Sequence, residues 1–587
     1  MKFLNRFVSI LQGLKLSFKR FPITIGISTL LTISLIYLNE NRFEMTTLVQ
    51  ENLMRFNMIL GIAILLSLCI ALLSENFFKE NKTKSLLTYL GGTAILVFYY
   101  LFLLKKFEFV EMTRYAGTII FLLLVFFYIP VIGNKDKNYE YRVLEIFGNF
   151  FETAIYSFVL VFGIFAIFFT IDNLFDANLT YKYYLYTFLI VFFVFAVSFF
   201  LSKLPQDGET FDRKQYSGSM RILLTYIVIP LITIYTIILY VYFAKILITW
   251  QWPKGLVSHL VIWYTALSIG VIFLITPLIE TDKISRYFKF IFPKLVIPIL
   301  LMMFVSIGQR ISQYGITENR YYILVLGLWI TLIMLYFSIK KPLKNIIIPI
   351  SLSLVVLNSV LGPLSSYSIS KYSQNRRLNS ILDRNSMISG DSIVRNTNVS
   401  KEDQLEINNI LHYFYSYHSL DDVKVLSDDF ETSHMEDVFG FKYEPNVWGI
   451  PTNERYFYYG LNLMDKPIDI KGYEHYIQVA SWNNDEIVLE DLKIIKNMDS
   501  FILSIERNDG TLISINTNEV ALEIISKFGF DLDYEKDQKN PDEMSYETQQ
   551  DGVKVKIVFT NISGAKIEEN VELKNLEYIL LIDDLSN

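Results

Sequence analysis

Long apolar runs separated by short polar breaks fill the chain from Phe21 to Pro363, and none follows Ser365. A hydrocarbon core of about 30 Å is crossed by roughly 20 apolar residues in helical form. Helices are the expected form because backbone groups in lipid must be hydrogen-bonded within their own segment. The pattern therefore predicts an all-α membrane bundle of about eleven transmembrane helices, followed by a soluble α+β domain.

The polar breaks divide the chain into six regions. Phe3, Phe7 and Leu14 recur at helical spacing between basic residues, which fits an amphipathic helix on the inner leaflet or an extension of the first span. We expect a cytoplasmic amphipathic N-terminal segment at 1–20, the first six transmembrane helices at 21–201, a cytoplasmic loop at 202–220, the last five transmembrane helices at 221–365, a juxtamembrane linker or helix extension at 366–399, and the soluble domain at 400–587.

The soluble domain has both helical and strand signals. Ser400 and Asp403 stand at capping-box spacing before a helical pattern. The stretch "SFILSIERNDGTLISIN" predicts a hairpin around Asp509 and Gly510, and a helical pattern follows it. "VKVKIVFT" alternates with strand period, and "LEYILLID" predicts a last strand. Residues 531–552 are polar and acidic, which predicts a loop.

Charge is divided between the two parts. From Lys371 onward the chain holds 21 Lys and Arg against 40 Asp and Glu, a net charge of −19. The rest holds 32 basic and 19 acidic residues, a net charge of +13. Alternate loops of the bundle carry 21 and 8 Lys and Arg, so the N-terminus is expected in the cytoplasm. An odd number of spans then places the C-terminal domain outside.

Motifs that carry chemistry are scarce. The sequence lacks a phosphate-binding GxxxxGK[ST], a GxSxG nucleophile elbow and an HExxH zinc motif. The histidines of the soluble part favour scattered surface positions, and the acidic run from Asp421 to Glu431 favours a solvated loop. The only cysteine, Cys69, excludes disulfides. We therefore assign no catalytic residue, metal site or cofactor, and expect no nucleic-acid partner.

The short turn "RISQYGITENRYY" carries far more charge and aromatic surface than a connection between two membrane helices needs. Ionisable residues near membrane depth indicate a functional site by default. A glutamate between two arginines is expected to be their ion-pair partner. The candidate outer-face ligand or docking site comprises Lys245, Lys254, His259, Arg310, Tyr314, Glu318, Arg320, Arg376 and Arg377.

Three interpretations of this surface remain open. The aromatic and basic residues can form an interfacial belt of anchors in the lipid bilayer. They can form the surface on which the acidic soluble domain docks. They can also bind an anionic lipid headgroup or a cell-wall polymer, because arginine forks suit phosphate and carboxylate groups.

Four stretches carry a family resemblance: "YIVIPLITIYTIILYVYFAKIL", "WPKGLVSHLV", "QRISQYGITENRYYILVLGLW" and "GPLSSYSISKYSQNRRLNSIL". In this order they resemble the bacterial multi-pass membrane family called domain of unknown function 4153. The resemblance is strongest over Tyr226–Leu382 and compositional over the first six spans. It implies a bacterial plasma-membrane location and supplies no reaction, because the function of the family is itself unsettled.

Three classes of function follow from these observations. The first is a cell-envelope sensor or scaffold with an extracytoplasmic domain. The second is a transporter or lipid flippase, for which prolines such as Pro293 and Pro298 could break helices along a path. The third is a membrane-embedded transferase that uses a lipid-linked donor, with Glu318 or His259 as its candidate base. The oligomeric state and the signal or substrate are not determined by the sequence.

Overall fold

The computed structural model of the chain comprises two compact units, Met1–Glu444 and Pro445–Asn587. The structure describes residues 13–78, 81–132, 139–206, 216, 218–250, 256–340, 343–390, 392–427, 429–444, 454–461, 466–480, 486–489, 492–497, 501–507, 510–528, 538–567 and 570–585. Most of the predicted N-terminal amphipathic segment lies outside these residues, although 13–20 are helical.

The first unit is built on a bundle of apolar helices. Among the described residues ten helices are long and apolar enough to cross a membrane, and a shorter one, α11 (Ile347–Val360), follows them. The predicted membrane bundle of about eleven helices is thereby confirmed. The ten are α1 (Pro22–Asn41), α2 (Thr47–Phe77), α3 (Lys82–Leu103), α4 (Phe109–Val131), α5 (Tyr139–Phe175), α6 (Tyr181–Ser202), α7 (Gly218–Thr249), α8 (Ser258–Leu278), α9 (Lys283–Tyr314) and α10 (Glu318–Ile339).

Close helix packing joins the two halves of the bundle. Helix α11 lies along α4, and Gly117 of α4 is buried there. A Cβ atom at Gly117 would lie 2.5 Å from Cγ1 of Val360, so only glycine permits this approach. Small residues play this role in membrane helices because lipid offers no hydrophobic driving force between them.

Helix α9 continues through both of its internal prolines, Pro293 and Pro298. The sequence-based suggestion that these prolines break a helix is therefore wrong. Proline is tolerated in membrane helices because neighbouring groups can satisfy the freed carbonyls.

The first unit extends past the bundle. Helix α12 (Ser366–Arg384) leads to a two-stranded ribbon, β1 (Ile388–Ser389) and β2 (Ser392–Ile393), and then to α13 (Lys401–Tyr417) and α14 (Met435–Phe439). Helix α13 is capped by the Ser400 side chain, as its capping-box spacing predicted.

A separate apolar core holds these extramembrane helices together. Leu382 of α12 is buried with Ile407, Leu411 and Phe414 of α13, and all four are 0% exposed. Burial of such a side chain contributes about 1.5–3 kcal/mol. The segment 366–444 consequently belongs to the bundle's own unit, and the boundary at Glu444 lies inside the region 400–587 that the sequence assigned to the soluble domain.

The described residues of the second unit form two largely antiparallel sheets and one helix. The larger sheet has the order β4-β12-β11-β3-β9 with β10 paired to β11, and the smaller has the order β5-β6-β7-β8. The elements are β3 (Glu454–Leu461), β4 (His475–Val479), β5 (Glu486–Leu489), β6 (Leu492–Asn497), β7 (Ile502–Arg507), β8 (Gly510–Asn516), α15 (Thr517–Ser526), β9 (Gln538–Lys539), β10 (Ser545–Gln550), β11 (Val553–Ile567) and β12 (Asn570–Asp584).

Most local predictions for this unit hold. Strands β7 and β8 form the predicted hairpin, with Arg507 opposite Gly510, and β11 and β12 pair along their length. The loop predicted at 531–552 is wrong in part, because residues 545–550 form β10. This strand is polar and lies at the sheet edge, where one side needs no apolar residues.

Candidate functional site

The turn between α9 and α10 is shaped by a glycine. Gly315 ends α9 with φ 69° and ψ −177°, a conformation that only glycine adopts readily. Helix α12 packs against this turn. The Ser373 hydroxyl accepts a hydrogen bond from the Ile316 amide at 2.8 Å, and the Gln374 side-chain amide donates to the carbonyls of Tyr314 at 3.1 Å and Ile316 at 3.0 Å. The turn is thus held by the segment that follows the last apolar helix.

Two arginines surround Tyr314. The Arg320 guanidinium donates to the carbonyl oxygens of Tyr314 at 3.1 Å and Gly315 at 2.9 Å. Arg377 of α12 donates to the Tyr314 carbonyl at 3.3 Å and to the Glu406 carboxylate of α13 at 2.7 Å. The Cζ atoms of Arg320 and Arg377 lie 5.4 and 5.8 Å from the centre of the Tyr314 ring. These contacts connect α10, α12 and α13 at one end of the bundle.

Glu318 points away from the arginines of its own turn. It is 5% exposed, and its Oε1 accepts a hydrogen bond from the Tyr413 hydroxyl at 2.7 Å and lies 2.8 Å from His418 Nε2. The expected ion pair of Glu318 with Arg310 or Arg320 is therefore wrong. The side chain of His418 is 1% exposed, so the surface position predicted for the histidines is wrong for His418, whereas His434 is exposed as predicted.

The Tyr413 hydroxyl donates to Glu318 in this cluster, and His418 Nε2 lies within hydrogen-bond distance of both groups. Burial, and next the charge of Glu318, raise the pKa of Tyr413 well above its ordinary value, so the hydroxyl stays protonated. The arrangement can hold the His418 imidazole in one orientation, because the carboxylate fixes Nε2. An oriented imidazole can act as a base, or it can simply tie two segments together.

A second polar contact ties the loop after α13 to α12. Lys371 pairs with Asp422 at 2.8 Å, so Asp422 is not part of a freely solvated loop. Asn375 reinforces the contact, since its amide donates to the Asp422 carbonyl at 2.9 Å and its oxygen accepts from the Lys424 amide at 3.0 Å.

A cavity of about 380 Å³ opens where these segments meet the start of α4, and we call it the junction cavity. Two of its lining residues contact each other, since the Arg114 guanidinium lies 5.6 Å from the centre of the Tyr367 ring. Among the described residues no group of three or more His, Cys, Asp and Glu could hold a metal ion. The lining residues include Glu108, Glu111, Arg114, Tyr367, Lys371, His418 and Asp422.

The structure brings together only part of the predicted site. Tyr314, Arg320 and Arg377 meet, whereas Glu318 turns to the opposite side. Arg310 is half-buried near the end of α9. Three other predicted residues, Lys245, His259 and Arg376, are exposed. Lys254 lies outside the described residues.

Comparison with known proteins identifies the family. A model of the family described as "Domain of unknown function (DUF4153)" matches residues 27–397, which is more than half of the chain. The chain belongs to this family. Over 137 residues this DUF4153 protein is 32% identical to an uncharacterized protein, PM1469, of Pasteurella multocida (strain Pm70), and the match covers 23% of each chain. No solved structure matches it.

The DUF4153 match reaches further toward the N-terminus than the resemblance seen in the sequence. It includes the turn at 310–322 and all of α12, and it ends before α13. The partners of Glu318 therefore come from outside the matched region. Tyr413 and His418 carry no motif, and only their position at the end of a capped amphipathic helix could have drawn attention to them.

This member of the DUF4153 family is a multi-helix membrane protein with a mixed-sheet C-terminal unit. Its best-defined polar site is the cluster of Glu318, Tyr413 and His418 beside the junction cavity.

Proposed function

We propose that this protein is a cell-envelope sensor or scaffold of the bacterial plasma membrane. Its N-terminus would lie in the cytoplasm, and the segment after residue 365 would lie outside. One observation carries the proposal: a buried carboxylate of the bundle, Glu318, is bonded to Tyr413 and His418 of the extramembrane segment. A buried charge without these partners is costly, so the extramembrane helices are held in register with the bundle.

The charge distribution supports the same proposal. Arg377 pairs with Glu406 and Lys371 pairs with Asp422, so basic groups of α12 hold acidic groups of the segment around α13. We call the segment 366–444, held to the bundle by these contacts, the platform. It can present the second unit, or it can transmit a change in its own structure to the bundle. The anionic lipid headgroup or cell-wall polymer suggested by the sequence remains a candidate partner of the exposed Arg376.

Orientation is tested by cysteine accessibility in intact cells. Cys69→Ser gives a cysteine-free background, and it is mild because the new hydroxyl can still donate to the Leu122 carbonyl that the thiol now faces at 3.5 Å. Gly510 is exposed at the β7–β8 hairpin and is the position for a single new cysteine. Labelling of Gly510→Cys by a membrane-impermeant maleimide in intact cells supports the proposal that the segment after residue 365 lies outside. Labelling only after lysis contradicts it.

The scaffold role is tested by deleting the second unit. A chain that ends at Glu444 keeps the bundle and its extramembrane helices intact. In a strain that lacks the gene, this shortened chain should insert in the membrane but fail to restore growth under envelope stress. Full restoration by the shortened chain would refute a role for the second unit.

A membrane-embedded transferase is a second candidate, favoured by the His418 imidazole that Glu318 orients beside the junction cavity. Two substitutions distinguish a catalytic role of His418 from a structural one. Tyr413→Phe and His418→Gln each remove one partner of Glu318, but only the second removes the imidazole. An enzyme loses its cellular effect with His418→Gln alone, whereas a scaffold responds to both in proportion to lost stability.

A further inference from the structure

The charges that line the junction cavity fall into two groups. Most have a partner: Lys371 pairs with Asp422 at 2.8 Å, and His418 lies 2.8 Å from Glu318. Glu108 pairs with Lys106 at 3.2 Å on an exposed surface. The remaining two are Glu111 and Arg114, one turn apart at the start of α4.

Glu111 and Arg114 do not pair with each other, although opposite charges three residues apart on a helix commonly do. Oε2 of Glu111 and Nε of Arg114 are both buried, and neither has a hydrogen-bond partner among the described residues. Buried polar atoms without partners are rare in folded proteins and need an explanation. Glu111 and Arg114, which carry opposite charges, both belong to the lining of one cavity.

The cavity is large enough for a small ligand. Its volume of about 380 Å³ lies within the range of small-molecule sites. The Arg114 guanidinium is held over the Tyr367 ring, at 5.6 Å from its centre, which restrains it for bidentate binding of an oxyanion. Ser365, Ser368 and Ser419 line the same space, but their hydroxyls are already bonded within the protein: Ser365 to Ser368, Ser368 also to the Gly362 carbonyl, and Ser419 to the Asp421 carboxylate.

We propose that the junction cavity binds an aminoalkyl phosphate, with its ammonium group on Glu111 and its phosphate on Arg114. Such a group can be a free zwitterion, such as phosphoethanolamine, or the headgroup of phosphatidylethanolamine. The inference deepens the proposed function and rests on it for its biological meaning, because the ligand would be what the platform detects. The binding site itself stands on the side-chain geometry.

Binding is tested on the purified full-length protein. Isothermal titration with phosphoethanolamine should show saturable binding if the free zwitterion is the ligand. Native mass spectrometry from nanodiscs of equal phosphatidylethanolamine and phosphatidylglycerol should show selective retention of phosphatidylethanolamine if the headgroup is the ligand. Either result supports the binding site and shows whether its ligand is the free zwitterion or the lipid headgroup.

Substitutions of Glu111 and Arg114 test which residue binds each end of the ligand. Glu111→Gln and Arg114→Gln should each weaken binding by about tenfold or more, because each removes a charged hydrogen bond. Glu51→Gln and Arg42→Gln are matched controls, since both residues are exposed and lie outside the cavity lining. They should bind as the unsubstituted protein does.

Fragments of the ligand provide a second test on the unsubstituted protein, which stays valid if a variant fails to fold. Ethylamine and inorganic phosphate should each bind more weakly than phosphoethanolamine, and N-acetylation of phosphoethanolamine should abolish the contribution of Glu111. The proposal is overturned if neither phosphoethanolamine nor phosphatidylethanolamine binds selectively. It is also overturned if both substitutions leave the affinity unchanged. These outcomes do not depend on the maleimide and deletion experiments, so the ligand and the scaffold role can fail separately.

Discussion

The carboxylate of Glu318 and the imidazole of His418 lie 2.8 Å apart although 100 residues separate them in the chain. Glu318 begins α10 of the bundle, and His418 directly follows α13 outside it. The contact makes a membrane helix and an extramembrane helix parts of one structural unit. Its loss should lower the stability of that unit.

Tyr413→Phe tests this cluster. The substitution removes the hydroxyl that donates to Glu318 and leaves a buried carboxylate with one partner fewer. We expect the first unit to lose about 1–3 kcal/mol of stability. Thermal unfolding in detergent measures the change. Tyr415→Phe on the same helix is the control, because Tyr415 is 63% exposed and its change should stay within about 0.5 kcal/mol.

Gly315→Ala tests the turn itself. Gly315 has φ 69° and ψ −177°, and a Cβ atom there would lie 3.0 Å from the Gln374 amide nitrogen and 3.2 Å from the Ser373 hydroxyl. We expect a loss of about 1–3 kcal/mol from backbone strain alone.

Gly308→Ala is the control for Gly315→Ala. Gly308 lies within the same helix, α9, and a Cβ atom there would meet nothing within 4 Å. Alanine should therefore be neutral or add about 0.5–1 kcal/mol. Equal destabilisation by both substitutions would contradict the turn geometry.

The ion pair of Arg377 and Glu406 should couple strongly. Its atoms are 2.7 Å apart and the side chains are 18% and 27% exposed. A double-mutant cycle with Arg377→Gln and Glu406→Gln should give a coupling energy of about 0.5–3 kcal/mol. The more exposed pair of Lys182 and Glu40, at 38% and 41%, should couple more weakly because solvent screens it. If Lys182 and Glu40 couple more strongly than Arg377 and Glu406, then Arg377 acts mainly through its contacts with Tyr314.

Acid should weaken the first unit through Asp403. The hydrogen bond from Arg384 holds the pKa of Asp403 below its ordinary value. A lowered folded-state pKa contributes stability above the unfolded pKa of about 4, and this stability is lost as pH falls below that value.

Asp403→Asn should remove the acid-sensitive component, and Arg384→Gln should reduce it. The contribution is modest because Arg384 is 52% exposed. Unfolding measured in detergent between about pH 3 and 7 tests both variants, since this window spans the ordinary Asp pKa. An unchanged pH profile in both would exclude the pair as a source of acid sensitivity.

The unit boundary predicts which fragment folds alone. A fragment that starts at 445 keeps the apolar core of the second unit, which includes Val555, Phe559 and Leu580. It should be soluble and unfold cooperatively. A fragment that starts at 400 adds α13 without α12 and exposes the face that includes Phe414. It should aggregate, and size-exclusion chromatography compares the two.

Periodic patterns predicted much of this fold. The apolar runs specify α1 to α11 because hydrophobic length and helical hydrogen bonding are properties of each segment alone. The β7–β8 hairpin was predictable for the same local reason. The edge strand at 545–550 was not, because its polar residues show no buried face.

The candidate site depended on contacts that no local pattern carries. The charged turn at 310–322 attracted attention by its composition, yet the expected ion pair for Glu318 was wrong. The position of a side chain at the end of a helix follows from which segment packs there, and α12 and α13 decide that here.

The sequence by itself determined a membrane bundle with an acidic, mixed α and β region after it, because apolar length, strand alternation and charge are readable residue by residue. Only the tertiary structure decided that residues 366–444 join the bundle, that Glu318 bonds Tyr413 and His418, and that Glu111 and Arg114 line one cavity. The physical reason is that these contacts join segments far apart in the chain, as when the buried Glu318 carboxylate finds its partners about 100 residues away.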